Sequence, residues 1–472
     1  MRYRFRKNIV CFRNQPLVRW VRTQLRERYQ STLEANQVIR NQVLQFLPFL
    51  VASFITGFVA FAYSKVFSLA EQVSHLVLAE AKLFIFFLTP ATFFLSWWAV
   101  RKFAPYAKGS GIPQVMASVE LMKPGNGAVA FRFLSLRVIG VKILASTVKV
   151  IGGGIIGREG PTIQISAAIF RQIHRLLPKW WKPISPKNFV IAGAASGLAA
   201  AFNTPLGGII FAMEELARLH IRHYKSPLFL AVIIAGLTAQ GFGGSYLYLG
   251  YPKTGFSGWA MVGGMVLVPF ISGYFASRMC VVMLRLMRWM ATVKRYWKQV
   301  ALVVGSGLFV AAFIYWLGPE AMGSGKEIMT RTLYTTDKNI PWYLPFVRMN
   351  GLIASFTAGG AGGVFAPSLS AGACFGGWIA EALHLAGSNA NLLILVGMTA
   401  FLTGVTRAPF TSAIIIFEMT DRHSVIFFLL LGALLANLAA SLVDRHSFYE
   451  RLKDAYVREA TENVQISGKH AS

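Results

Sequence analysis

Acidic side chains are scarce in this chain of 472 residues, where 19 Asp and Glu face 47 Lys and Arg. Charged residues of both signs make up only 14% of it, against 55% hydrophobic residues. A soluble protein carries roughly a quarter of its residues as charge, so a soluble chain is excluded. Disorder requires low hydrophobicity and is excluded with it. Cysteine is nearly missing: Cys11, Cys280 and Cys374 are scattered, which argues against a disulfide framework and against a thiolate metal site. No Walker-type phosphate loop occurs, so nothing in the sequence supports ATP-driven transport. Low-complexity tracts are lacking too. What abounds is glycine, 43 residues, and long apolar runs, with a mean hydropathy of +0.51. These describe a polytopic membrane protein.

The net charge of +28 would point to nucleic acid in a soluble chain. Here the cations sit largely in loops and termini, as expected of cytoplasmic segments. Met1–Asn41 holds ten of them, from Arg2 to Arg40, opposed only by Glu27 and Glu34. It reads as a cytosolic arm against anionic lipid. No apolar core and cleavage site follow it, so it is not a signal peptide.

Apolar segments run over Phe46–Ala70, Leu83–Val100, Ala128–Ile156, Phe189–Met213, Leu228–Leu249, Trp259–Leu284, Val300–Leu317, Leu344–Leu383, Leu392–Phe417 and Val425–Leu442. A simple span needs about 20 residues. Several of these are longer, and Gly152–Gly154, Pro205–Gly208 and Gly359–Gly363 interrupt them. Such breaks predict short helices meeting inside the membrane, tolerated only where protein buries the free backbone or a cavity is lined by it. Two halves are expected around Gly250, each with a glycine turn and a proline opening a helix deep in apolar sequence. Corresponding interruptions of this kind point to a site near the midplane. The expected organisation is a basic arm over 1–45, membrane repeats over 46–250 and 251–455, and a short polar tail over 456–472.

A glycine-rich turn that opens a helix presents backbone N–H groups with no partner inside the helix. Those donors and the positive end of the helix dipole favour an anion. Gly109–Pro113, Gly157–Pro161 and Gly362–Pro367 each supply such a start. One is a weak signal; three at membrane depth imply a small anion held by partial charges, selectively but without trapping it.

These stretches, namely Gly109, Ser110, Gly111, Ile112 and Pro113, then Gly157, Arg158, Glu159, Gly160 and Pro161, then Gly363, Val364, Phe365, Ala366 and Pro367, resemble the selectivity motifs of the CLC chloride channel and transporter family. The likeness continues through Ala201–Gly208 with Glu214 and Glu215, through Arg407–Pro409 with Glu418–Thr420, and to Ser447–Tyr449. It covers roughly Phe46 to Tyr449. The resemblance implies an all-α polytopic fold of two inverted repeats with broken and tilted helices, in a homodimer with one pathway per subunit. It implies that Ser110 and Tyr449 offer hydroxyls to a central chloride, and that the backbone amides of Val364 and Phe365 line the same place. Glu159 is then the outer gating carboxylate and Glu215 the inner proton acceptor of the exchangers.

Bland readings stand beside these. Glu159 at a helix start also stabilises the dipole, by ~0.3–1 kcal/mol. Glu214 and Glu215, followed by Arg218, His220 and Arg222, also fit a solvated helix end. Ser110 alone fits a helix cap, and Tyr449 an interfacial anchor. Arg158, Lys142 and Glu418 fit buried pairing better than transport. Gln114 stands where many relatives carry Glu, a change expected to alter a surface or vestibule charge. Lys149 stands in apolar sequence where a small or uncharged residue is expected, and a lysine there is expensive unless it snorkels, is neutral or faces water.

The expectation is a chloride/proton exchanger in a bacterial inner membrane, with both termini cytosolic. Its partners are chloride, protons, lipid and a second copy of itself, without nucleic acid, cofactor or metal and without covalent chemistry. A passive chloride channel of the same family is the first alternative, from which Glu215 distinguishes it. A membrane-anchored nucleic-acid binder using the basic arm is a more distant one.

Overall fold

The computed structural model describes residues 20, 23–24, 37–122, 127–181, 183–216, 225–244, 247–335, 338, 340–420 and 423–469. Most of the basic arm, the run from Arg218 to Arg222 and the last three residues therefore lie outside the described residues. Among those described there is no strand, only two isolated bridges, Gly109 with Ala361 and Gly157 with Gly363. Everything else is helix and connecting turn.

Six helices are long and apolar enough to cross a membrane, including Leu44–Glu80, Trp259–Thr292 and Gly387–Thr406. Two of these turn large apolar side chains outward, as a lipid-facing helix must: Phe54, Phe58 and Leu69 on the first, Val266 and Phe270 on the second. Gly387–Thr406 is apolar all round and buried from Ala390 to Thr406, which makes it an interior helix.

The interruptions fall where the glycines and prolines sit. Phe189–Met213 divides into Pro186–Phe202 and Pro205–Phe211, because Asn203 takes a left-handed conformation and Pro205 cannot continue a helix. Leu344–Leu383 divides into Leu344–Thr357 and Phe365–Ala382 across Gly359–Gly363. Leu136–Ile151 ends at Gly152, and Glu159–Leu176 begins after it.

The order of helices recurs. Glu159–Leu176 packs on Pro186–Phe202 as Phe365–Ala382 packs on Gly387–Thr406. Gln37–Glu80 packs on Lys225–Gly243 as Trp259–Thr292 packs on Ile426–Ser441. Counterparts also meet each other: Ile85–Phe103 lies against Tyr296–Leu317, and Pro205–Phe211 against Pro409–Thr420.

The last pair exchanges caps. Glu418 accepts from the amides of Leu206 at 2.9 Å and Gly207 at 2.7 Å. Glu214 accepts from the Thr411 amide and hydroxyl, both at 2.7 Å, and from the Phe410 amide at 3.3 Å. Each helix opens with a proline, which has no N–H; the next donors of Pro205–Phe211 are met by Glu418 of the other helix, and those of Pro409–Thr420 by Glu214 from the π-helical turn Ala212–Leu216 that continues Pro205–Phe211. Buried cations are met in the converse way. Arg348 donates to the Ser370 hydroxyl at 3.0 Å and to the carbonyls of Met322 at 2.8 Å and Gly323 at 3.1 Å. Arg407 donates to the Ser277 hydroxyl at 3.0 Å and to the carbonyls of Ala440 and Asp444.

Leaving amides without an acceptor at this depth costs about 1–3 kcal/mol. Glu418→Ala and Glu214→Ala are therefore each expected to lower the melting temperature of the detergent-solubilised protein. An unchanged melting temperature in both variants contradicts the capping exchange.

Candidate functional site

Four of the motif segments converge. The Gly109 amide donates to the Gly360 carbonyl at 2.8 Å, and the Gly362 amide donates back to the Gly109 carbonyl at 3.1 Å. Gly157 and Gly363 exchange both amides and carbonyls, at 2.8 and 2.7 Å. The turn carrying Ser110 is thus tied to the turn before Val364, and the turn before Glu159 is tied to the same segment. Lys142 holds this joint from behind, its ammonium donating to the carbonyls of Ala107 at 3.0 Å and Gly109 at 2.8 Å. This is the buried pairing the sequence indicates for Lys142.

From this joint three helices run outward. Ile112–Leu121 starts after Gly111 and has Pro113 in its first turn. Glu159–Leu176 starts after Arg158, with Gly160 and Pro161 in its first turn. Phe365–Ala382 starts after Val364, with Ala366 and Pro367 in its first turn. None of the three caps its start with a side-chain hydrogen bond from the residue before it. Their first amides have no intrahelical partner, so the positive ends of these helices are what the joint presents.

The fourth segment is the start of Phe448–Lys469, which brings in Tyr449. That helix is fixed to Ile112–Leu121 by the ion pair of Lys453 with Glu120 at 2.7 Å. Gln114 adds to this, donating to the Lys108 carbonyl at 2.5 Å and the Tyr456 hydroxyl at 3.1 Å. Gln114 is only 1% exposed, which corrects the expectation of a surface or vestibule position. A neutral amide suits it, because it donates to a carbonyl, which an ionised carboxylate cannot do.

Ser110, Glu159, Val364, Phe365 and Tyr449 are all buried. The Ser110 hydroxyl packs over Gly160, where a Cβ would overlap it. The Tyr449 hydroxyl is directed toward Ser110, yet neither closes a hydrogen bond of good geometry. The Tyr449 ring stacks on Phe365 at 6.1 Å between centroids and 11° between planes. Glu159 folds back over Gly157, which has room for the carboxylate only because it lacks a side chain. There it faces its own amide and that of Ala366, and both carboxylate oxygens are left without a closed hydrogen bond. The carboxylate thus lies buried between two helix starts, whose unpaired amides favour negative charge. Arg158 next to it is engaged, donating to the Ser64 carbonyl at 2.9 Å.

Glu215 is not in this cluster. It lies in the π-helical turn Ala212–Leu216, packed on Pro186–Phe202, and is 6% exposed. The acidic pair is thus divided: Glu214 caps Pro409–Thr420, and Glu215 is buried, which rules out a solvated helix end.

Sequence reading missed the cavity beside Arg158. Lys65, Arg158, Lys326, Asn203 and Gln240 line a cavity of about 250 Å³ there. The Lys326 ammonium also lies 4.7 Å from the Tyr248 ring centroid. These residues come from five segments far apart in sequence and form no local motif.

Comparisons with known proteins bear on the family and the fold. The voltage gated chloride channel family matches residues 92–441. An H(+)/Cl(-) exchange transporter ClcA of Citrobacter koseri is 26% identical over 458 residues, covering 89% of this chain and 93% of that protein. The ClcA of Salmonella arizonae is 26% identical, covering 85% and 86%. Among solved structures, a slow cyanobacterial Cl⁻/H⁺ antiporter superposes with a TM-score of 0.75 at 22% identity, over 88% of this chain and 98% of its own. A CLC-type fluoride/proton antiporter superposes with a TM-score of 0.72 at 19% identity, over 88% and 98%. The family match spans well over half of the sequence and includes all three helix starts, and this chain belongs to the voltage gated chloride channel (CLC) family.

Proposed function

We propose that this protein is a secondary transporter that exchanges chloride for protons, with Glu159 as its gate. The observation that carries the reading is the buried Glu159 carboxylate, set between two helix starts without a closed hydrogen bond. A group so placed is held weakly enough to leave, and what leaves can be replaced by an anion of the same charge.

Ionised, Glu159 acts as the anion of its own site and blocks the pathway. Protonated, it loses the attraction of the helix starts and moves out, and chloride takes its place against Ser110, Tyr449 and the amides of Val364 and Phe365. Return of the carboxylate expels chloride and releases the proton. Glu215, buried on a different helix, receives or supplies that proton on the cytosolic side by a branch separate from the anion path. This buried acid separates the reading from a passive channel, which needs no second proton acceptor. The ClcA relatives are H(+)/Cl(-) exchange transporters by name, which supports exchange.

The division into repeats over 46–250 and 251–455, two subunits with a pathway each, cytosolic termini and a bacterial inner membrane belong to the same proposal. A second copy, rather than lipid, covers the outward-turned Leu206, Phe410, Leu434 and Leu438.

In liposomes, Glu159→Gln is expected to pass chloride while losing proton movement driven by a chloride gradient; retained coupling removes Glu159 as the gate. Glu215→Gln should also stop proton movement while chloride transport continues, and persistence of coupled proton flux removes it from the proton branch. Hydrogen bonds to a charged partner are worth about 1.5–3 kcal/mol each. Ser110→Ala and Tyr449→Phe are accordingly expected to weaken chloride binding about tenfold or more in calorimetric titration. Unaltered affinity in both, with stability alone reduced for Ser110→Ala, leaves Ser110 as a helix cap only. Ser110→Pro is expected to favour nitrate over chloride.

A further inference from the structure

Lys149 stands on the last turn of Leu136–Ile151 and is 1% exposed. It does not snorkel. Its ammonium donates to the Ser355 carbonyl at 2.5 Å and lies 4.7 Å from the centroid of the Phe93 ring. Among the described residues no carboxylate comes within ion-pair distance of it. Ser355 is in the last turn of Leu344–Thr357, so two helix C-termini offset part of the cost of burying the charge. The aromatic face offsets more. One hydrogen bond is still fewer than Lys142 or Arg348 makes.

The position of this cation matters more than its partners. A Cβ on Gly360 would lie 3.2 Å from the Lys149 ammonium. The carbonyl of Gly360 is the acceptor of the Gly109 amide, and Ser110 follows Gly109. The ammonium therefore abuts the rear of the joint whose front carries Ser110 and leads into Val364 and Phe365. It is separated from that front by a single layer of glycine backbone.

We infer that Lys149 sets the anion affinity of the pathway through the protein wall, as a buried cation that an anion at Ser110 favours, without touching the anion. The inference rests on the exchanger reading above. An anion at Ser110 is then an opposite charge within reach of the buried ammonium, and each stabilises the other. The layered geometry places the two charges on the order of 10 Å apart, which at an effective dielectric constant of about 20 corresponds to roughly a tenfold change in affinity. Lys142 has another task, because both of its hydrogen bonds fix the turn itself. Lys149 makes no bond to any residue of the three helix starts, so its effect is electrostatic.

The test is calorimetric chloride titration of the full-length protein in detergent, with melting temperatures recorded alongside. Lys149→Gln keeps a donor for the Ser355 carbonyl and Lys149→Met keeps the stem over Phe93; both remove the charge. Each is expected to bind chloride about tenfold more weakly, and Lys149→Arg to recover most of the affinity. A purely structural lysine predicts melting shifts with wild-type affinity in whichever neutral variant folds, and that outcome overturns the inference. Wild-type protein that binds no chloride overturns the exchanger reading and this inference with it. Wild-type binding with equal binding by the neutral variants overturns this inference alone.

Discussion

Backbone amides and carbonyls inside a bilayer have no water to turn to, and each one left unpaired costs several kcal/mol. This chain nevertheless stops its helices at Gly109, Gly157 and Gly359–Gly363, in the middle of apolar sequence. The four hydrogen bonds among Gly109, Gly157, Gly360, Gly362 and Gly363 are what make that possible. They satisfy the free backbone of the turns against one another and bring the starts of three helices together. The buried side chains around Ser110, Glu159 and Tyr449 are arranged about that joint. Moving any one turn breaks the hydrogen bonds of another.

The same constraint governs charge. Buried cations end on carbonyl oxygens, as Lys142, Arg348 and Arg407 do, and the carboxylates of Glu214 and Glu418 end on amides. Glu159 departs from this rule, since its buried oxygens close no hydrogen bond. Glu214 and Glu418 cap another element, whereas Glu159 sits over its own helix start and faces its own amide and that of Ala366. The exchange mechanism proposed for the chain is built on that difference.

Much of this was legible in the sequence, for a physical reason. Glycine and proline mark helix breaks wherever they occur, so Gly152–Gly154, Pro205–Gly208 and Gly359–Gly363 announced the short helices before any fold was known. The motif residues are contiguous, which brought Ser110, Glu159 and Phe365 out directly. Partners far apart in sequence were not legible. Glu418 caps Leu206 from 212 residues away, and Lys149 meets the carbonyl of Ser355 from 206 residues away. Gln114 looked like a surface change because its partner Tyr456 lies on the last helix. Lys65 and Lys326 gave no signal at all, since only the folded chain brings them beside Arg158.

The central claim is that chloride and protons move by competition for one place, so that neither gradient can run down without the other. It is tested most directly by the reversal potential of the purified protein in a planar bilayer, with equal chloride on both sides and unequal pH. Obligatory exchange predicts a reversal potential displaced from zero, with a sign that inverts when the pH gradient is inverted. A reversal potential that stays at zero under both gradients contradicts the account and leaves a passive chloride conductance.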